Sequence, residues 1–199
     1  MLDPARWDIA DLAASYSRAT PFPHAVIDDF AEETFRRELV AAFDEEPADN
    51  LQDEIFDVMA SGSPPVTPAF QQFREHARSS ALQGAIEAIT GERTSDIEVR
   101  AYAYLPGHYL LPHADRDAGG RRRIAFAFYV DVLEGTTGGE LDLYKCETNG
   151  AAIVKTTVTT TIAPRPNRCV LLGVGDTSLH RVREVTAGGR LSLAGWFIR

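Results

Sequence analysis

The hydrophobic pattern changes period once, at about residue 95. Before that point apolar residues recur mostly at helical spacing. After it they alternate with other residues every second position. Residues 8 to 17 fit a short helix, and Ala25 to Ile27 fit a short strand inside "PFPHAVIDDF". In "AEETFRRELVAAF", Phe35, Leu39, Val40 and Phe43 share one helical face, with acidic residues in the first turn, where the helix dipole favours them. Residues 47 to 66 hold Pro47, Gly62, Pro64 and Pro65 among scattered polar residues. They read as one long loop, either a lid or binding loop or a disordered stretch. Thr67-Pro68 is a helix start, N-cap then proline. Phe70, Phe73, Ala77, Leu82, Ile86 and Ile89 then form one stripe, which Gly91 ends.

From Ile97 onward "IEVRAYAYL", "RRIAFAFYVDVL", "ELDLY", "AIVKTTVTTTIA", "RCVLLGV", "LHRVREV" and "RLSLAGWFIR" read as strands separated by turns bearing Gly, Asn or Pro. Many short strands of this kind predict a sandwich or barrel. Parity adds detail. Ile124, Phe126 and Phe128 share a large apolar face suited to packing on the helices, whereas Arg123, Ala125, Ala127 and Tyr129 share the other. Small residues bracketed by polar ones leave room for a polar ligand inside a barrel. In the last strand Arg190, Ser192, Ala194 and Trp196 lie together. Arg190 and Ser192 form either a grip for a carboxylate, which guanidinium binds in a fork, or the exposed face of an edge strand.

Length and composition narrow the field. The 199 residues suit one domain, here 1–199, with residues 1–95 as mostly helical scaffold and possible lid and 96–199 as the β core. The fold class is therefore mainly β with α (α+β). A net charge of −9 disfavours a nucleic-acid backbone as main partner, because such binding leans on cationic neutralisation. Cys146 and Cys169 are too few for a disulfide framework, and the first residues show no basic stretch followed by an apolar one, so no signal peptide is read and a cytoplasmic location is expected. No apolar run approaches the ~18 residues that span a membrane. Nothing in the pattern sets an oligomeric state.

The candidate chemistry sits in "LPHADRD", where His113 and Asp115 share one face of an extended segment. Alone, His113 reads by default as a satisfied surface or core histidine. A third candidate, His180, follows the turn "GVGDTS" and starts a strand, and Arg190 comes ten positions later. Two imidazoles and one carboxylate on one face of a metal make the facial triad of non-haem Fe(II) oxygenases. His24, His76 and His108 lack such company, and His108 has the wrong parity to join His113. The basic run Arg121-Arg122-Arg123, with Arg116, reads as a solvated loop, or else Arg116 or Arg123 meets an anionic group on a substrate. Trp196 either walls the pocket or packs in the core.

The ordered set "AYLPGHYLLPHAD", "RRRIAFAFYVDVL", "GGELDLY", "IAPRPNRCVLLGVGDTSLHRV" and "GGRLSLAGWF" covers most of residues 100 to 198. It resembles the 2-oxoglutarate- and Fe(II)-dependent dioxygenases, in particular the prolyl-hydroxylase-like branch, of which "PFPHAVIDDF" is also typical. The resemblance implies a double-stranded β-helix (jelly-roll) with supporting N-terminal helices. It implies His113, Asp115 and His180 as iron ligands, and Arg190, helped by Ser192 and Tyr129, on the distal carboxylate of 2-oxoglutarate. Tyr104 matches another tyrosine of the cosubstrate pocket. The implied cofactors are Fe(II), 2-oxoglutarate and O2. The implied reaction is hydroxylation of an unactivated C–H, with release of succinate and CO2, on an amino acid, a small metabolite or a protein side chain such as proline. Asp115 occupies the position that related halogenases leave as glycine or alanine, which favours hydroxylation. Desaturation, ring closure and N-dealkylation use the same ligands. Collagen-type prolyl hydroxylases often carry lysine where this chain has Arg190, and the stretch from Cys146 to Thr161 is longer than in the shortest members, which weakens any transfer of their substrate. A non-catalytic barrel of this fold predicts loss of His113, Asp115, His180 or Arg190, and all four are present. A cupin-like metal-binding barrel predicts His-x-His with a nearby Glu, and that cluster is missing.

Overall fold

The computed structural model describes all of residues 1–199. Four helices occupy the first half: α1 (Ile9–Arg18), α2 (Glu33–Ala42), α3 (Pro68–Arg78) and α4 (Ser80–Thr90). The single stripe that runs to Gly91 is split into two helices. Ser79 takes an extended backbone (φ −61°, ψ 146°), ends α3, and accepts the Leu82 amide at 3.3 Å to cap α4. A hydrophobic stripe runs across such a break because both helices bury the same side, so periodicity alone does not show it. Gly91 closes α4 in the left-handed region (φ 75°), where an L side chain would be strained.

The strands are β1 (His24–Ile27), β2 (Ala48–Asp53), β3 (Phe56–Ser61), β4 (Asp96–Tyr104), β5 (Tyr109–His113), β6 (Arg122–Val132), β7 (Thr137–Gly138), β8 (Leu141–Asn149), β9 (Ala152–Ile162), β10 (Arg168–Gly173), β11 (His180–Val182), β12 (Val185–Ala187) and β13 (Arg190–Ile198). One antiparallel sheet runs β1-β10-β6-β13-β4-β3-β5-β11-β8-β9, with β2 added on β3 and a separate β7–β12 ribbon. The sheet curls into a double-stranded β-helix. Its β1-to-β4 half carries the helices on the outer face. β3 joins the halves, pairing with β4 through Met59 and Ala60 and with β5 through Phe56 and Asp57. No helix is long and apolar enough to cross a membrane.

The expected long loop at 47–66 is instead this β2–β3 hairpin. β2 reads ADNLQD and is exposed at every position but Leu51, which is partly buried, so it has no inward face to generate a pattern. Pairing with β3, Leu51 opposite Val58, holds it in place. Likewise "LHRVREV" is two strands, because after Val182 the chain leaves β5 and β8 to pair with β7.

Two apolar layers result. The outer layer joins Phe35, Leu39, Phe70, Phe73 and Ile86 of the helices to Ile124, Phe126, Phe128, Leu193 and Phe197 of the sheet. The smaller inner layer, with Tyr104, Ala125, Tyr129, Leu141, Leu143 and Val182, lies inside the barrel. Phe128 is fully buried where the layers of helix and sheet meet, its ring 5.9 Å from Phe73 and 5.0 Å from Phe30. Phe128→Ala should therefore lower the unfolding free energy by about 3–5 kcal/mol in urea titration. A loss below about 1 kcal/mol would contradict this packing.

Candidate metal centre and cosubstrate cavity

Register makes the metal centre. His180 on β11 pairs directly with His113 on β5, so two residues far apart in sequence become cross-strand neighbours. Their rings lie 4.4 Å apart. Asp115, just past the end of β5, brings Oδ2 to 3.2 Å from His180 Nε2 and Oδ1 to 3.6 Å from His113 Nε2. The ligand atoms of all three lie within 4.8 Å of one another. Each imidazole donates its Nδ1–H to a backbone carbonyl, His113 to Leu111 at 2.9 Å and His180 to Ser178 at 3.0 Å. That fixes the tautomer and leaves both Nε2 lone pairs for a metal.

The electrostatics agree with a cation here. Burial disfavours the Asp115 carboxylate, but the adjacent His180 and His113, with the Trp196 indole, outweigh it and hold its pKa below the usual value. Burial lowers His113, and the neighbouring His180 lowers it further. For His180 burial also acts downward, but the Asp115 contact outweighs it and leaves the pKa above the ordinary imidazole value.

The triad borders a cavity of 340 Å³. The inner faces of β4 and β13 run along it in register, Tyr104 opposite Arg190, Tyr102 opposite Ser192 and Arg100 opposite Ala194. At its far end Arg190 is only 2% exposed and has no carboxylate partner. Its Nη1 donates to Ser192 Oγ at 2.7 Å, and its guanidinium lies 4.2 Å from the Tyr104 ring centre and 4.8 Å from that of Tyr129. Arg190 Nε and Tyr129 Oη are buried without hydrogen-bond partners. A Cβ added at Gly139 would meet Arg190 Nε at 3.3 Å, so glycine there leaves the guanidinium its space. Burial raises the pKa of both tyrosines, which stay neutral phenols able to donate to an anion. Arg190, lacking a carboxylate, and Ser192, with Leu141 and Val182 along the wall, fit a short dicarboxylate whose other end reaches the triad, while the unpaired Tyr129 phenol lies beside Arg190 but is not part of the cavity lining.

Of the remaining candidates, Trp196 lines the cavity. Arg116 is exposed and paired with Asp176, away from the cavity. Arg123 pairs with Glu92 at 2.7 Å and does not reach the cavity either. The register of β6 on β13 shifts between Phe197 and Ile198, which pair with Ile124 and Arg122. Arg123 is the bulged residue there, so simple alternation fails at it. Arg122 instead stacks 3.3 Å from the Trp196 ring centre and pairs with Glu98. Pattern reading missed Arg100 and Tyr102, although the alternation in "EVRAYAY" places them with Tyr104. It also missed Leu51, Phe56 and Val58, which the hairpin contributes to the cavity wall.

A curled antiparallel sheet enclosing two imidazoles and a carboxylate carries the ligand set of non-haem Fe(II) oxygenases. Residues 98–198 match the family model of the 2OG-Fe(II) oxygenase superfamily. The chain is 33% identical over 195 residues to prolyl 3-hydroxylase OGFOD1 of Xenopus laevis, covering 90% of this chain and 35% of that one. It is 30% identical over 122 residues to prolyl 3-hydroxylase sudestada1 of Drosophila melanogaster, covering 56% and 22%. It thus spans about a third or less of the length of these relatives. A Pseudomonas putida prolyl-4-hydroxylase structure superposes with a TM-score of 0.73 at 20% identity, over 96% of this chain and 98% of that one. The chain belongs to the 2OG-Fe(II) oxygenase superfamily.

Anaerobic calorimetry with Fe(II), or Mn(II) as a redox-inert stand-in, should find one ion per chain. His180→Ala or Asp115→Ala should weaken binding by more than about 100-fold, since even outer-shell changes cost 10–100-fold. Affinity should fall as pH drops from about 8 to about 6, because the metal needs a free Nε2 and His180 keeps its proton to a higher pH than an ordinary imidazole. Binding that is indifferent to either variant would rule out this centre.

Proposed function

We propose that the chain is the catalytic unit, over residues 1–199, of an Fe(II)- and 2-oxoglutarate-dependent oxygenase that hydroxylates a prolyl side chain in a protein or peptide. The observation that carries the reading is the presence, in one cavity, of a three-ligand metal site and a buried guanidinium with no carboxylate of its own. The prolyl substrate comes from the relatives, whose names are prolyl 3-hydroxylases. The free thiols of Cys146 and Cys169 fit a reducing cytoplasm. A non-catalytic barrel is not favoured, because such a protein has no need of both an intact triad and an unpaired Arg190.

When bound, iron and 2-oxoglutarate supply O2 activation coupled to oxidative decarboxylation, so that one oxygen atom leaves in succinate and the other becomes the hydroxyl, with CO2 released. The chain supplies position and exclusion of water. His113, Asp115 and His180 would hold the metal, each offering one ligand atom. Arg190 and Ser192 receive the distal carboxylate, with the Tyr129 phenol beside the guanidinium and the Tyr104 ring backing it. The neutral phenols bring hydrogen-bond donors without adding charge. Trp196 offers an apolar surface beside Asp115 against which a pyrrolidine ring can lie, and Leu51, Phe56 and Val58 of the hairpin line the cavity further along, toward Tyr104.

Incubation of the Fe(II)-loaded chain with 2-oxoglutarate, O2 and proline-containing peptides should give one succinate per hydroxyproline, read as a gain of one oxygen mass on proline. His113→Ala should abolish both products. Succinate release with no proline modified in any peptide, but with oxygen placed in a free metabolite, would replace the prolyl assignment.

A further inference from the structure

We propose that Arg100 is a specificity-determining residue whose guanidinium receives a carboxylate of the substrate next to the carbon that reacts. Among the partly or fully buried arginines, all but two lie within ion-pair distance of an Asp or Glu. The exceptions are Arg190 and Arg100, and both line the cavity. The protein has an acidic partner for every other shielded guanidinium. The two that lack one face the space where ligands bind.

Arg190 is accounted for by the distal carboxylate of the cosubstrate. Arg100 lies too far along the same strand to share it. It is four residues from Tyr104, the partner of Arg190, and opposite Ala194 rather than Ser192. At about 3.4 Å per residue the offset is roughly 14 Å. This puts Arg100 at the Trp196 and Asp115 end, where a substrate approaches the metal site. Ala127 and Ala194 are too small to fill the space in front of it. One hydrogen bond, from Nη1 to the Ser61 carbonyl at 3.0 Å, ties the guanidinium to the end of the β2–β3 hairpin and leaves its other donors free. A cation held in a mostly apolar cavity is stabilised far more by an anion than by a neutral carbonyl, so the group it selects is a carboxylate. For a peptide substrate this is an Asp or Glu next to the target proline.

This inference rests on the prolyl reading only for the choice of probe. The probes are capped, fluorescently labelled peptides with a central proline, in pairs that differ by Glu or Gln beside it. Each pair is also made with alanine in place of proline. Binding is read by anisotropy on the protein loaded with Mn(II) and 2-oxoglutarate. The wild type should favour Glu over Gln by about tenfold or more, the range for one charge-assisted hydrogen bond. Arg100→Ala should erase the preference, Arg100→Lys should retain part of it, and Arg100→Glu should shift it toward peptides with Lys at the same position. Affinity for 2-oxoglutarate should change by less than about twofold, against the tenfold per bond expected of a direct contact. Equal binding of Glu and Gln peptides by the wild type, absence of binding to either, or a preference that survives Arg100→Ala would overturn the assignment. So would a tenfold loss of 2-oxoglutarate affinity, which would give Arg100 to the cosubstrate. A Glu preference that persists in peptides lacking proline, with no oxygen added to proline in the others, would leave Arg100 in place and remove the prolyl reading instead.

Discussion

Arg190 is a buried guanidinium without a carboxylate, and the interior of the barrel is organised around that fact. Burying an unpaired charge costs several kcal/mol even after local relaxation. The chain partly offsets this with the Ser192 hydroxyl and the faces of two tyrosines, and leaves Arg190 Nε and the Tyr129 hydroxyl without partners. Such an arrangement is stable only because the rest of the fold holds it. Its full satisfaction requires an anion, and the cavity leads from that anion's place to the metal ligands.

The same strand carries both requirements. On β13 the inward residues Arg190, Ser192, Ala194 and Trp196 line the ligand space, while Leu193 and Phe197 point outward into the layer under the helices. One two-residue period thus separates binding from folding. The helices fix the outer face, and the inner face is free to be small, polar or charged. On the opposite half, the pairing of β11 with β5 and β8 sets His180 against His113. Asp142, fully buried on β8, receives the guanidinium Nε–H of both Arg181 and Arg183 at 2.9 Å, which clamps β11 in its register.

How much of this the sequence discloses depends on whether burial leaves a pattern. The large apolar face of β6 and the small inward face ending at Tyr129 are periodic and point to the barrel, whereas the spacing from His180 to Arg190 speaks only through the family resemblance. β2 leaves no pattern because it is almost entirely exposed, and β5 is disguised by Pro112 near its end. Ser79 breaks a helix without interrupting its stripe. Arg123 obeys the alternation on paper, but a bulge turns it to Glu92, and Arg122 takes the place over Trp196. Arg100 follows the alternation correctly. Its significance comes from lacking a carboxylate in three dimensions, which no one-dimensional pattern records.

The central claim is that Arg190 and the triad together hold one 2-oxo dicarboxylate. The most direct measurement is an anaerobic titration of the Fe(II)-loaded protein, following the visible charge-transfer band, with 2-oxoglutarate and with a 2-oxo monocarboxylate that lacks the distal carboxylate. Wild type and Arg190→Ala should differ by at least about 100-fold in half-saturation for 2-oxoglutarate, the range for breaking a buried charge pair, and hardly at all for the monocarboxylate. The same half-saturation for 2-oxoglutarate in both proteins would contradict the account, as would a loss in the variant that is equal for the two acids.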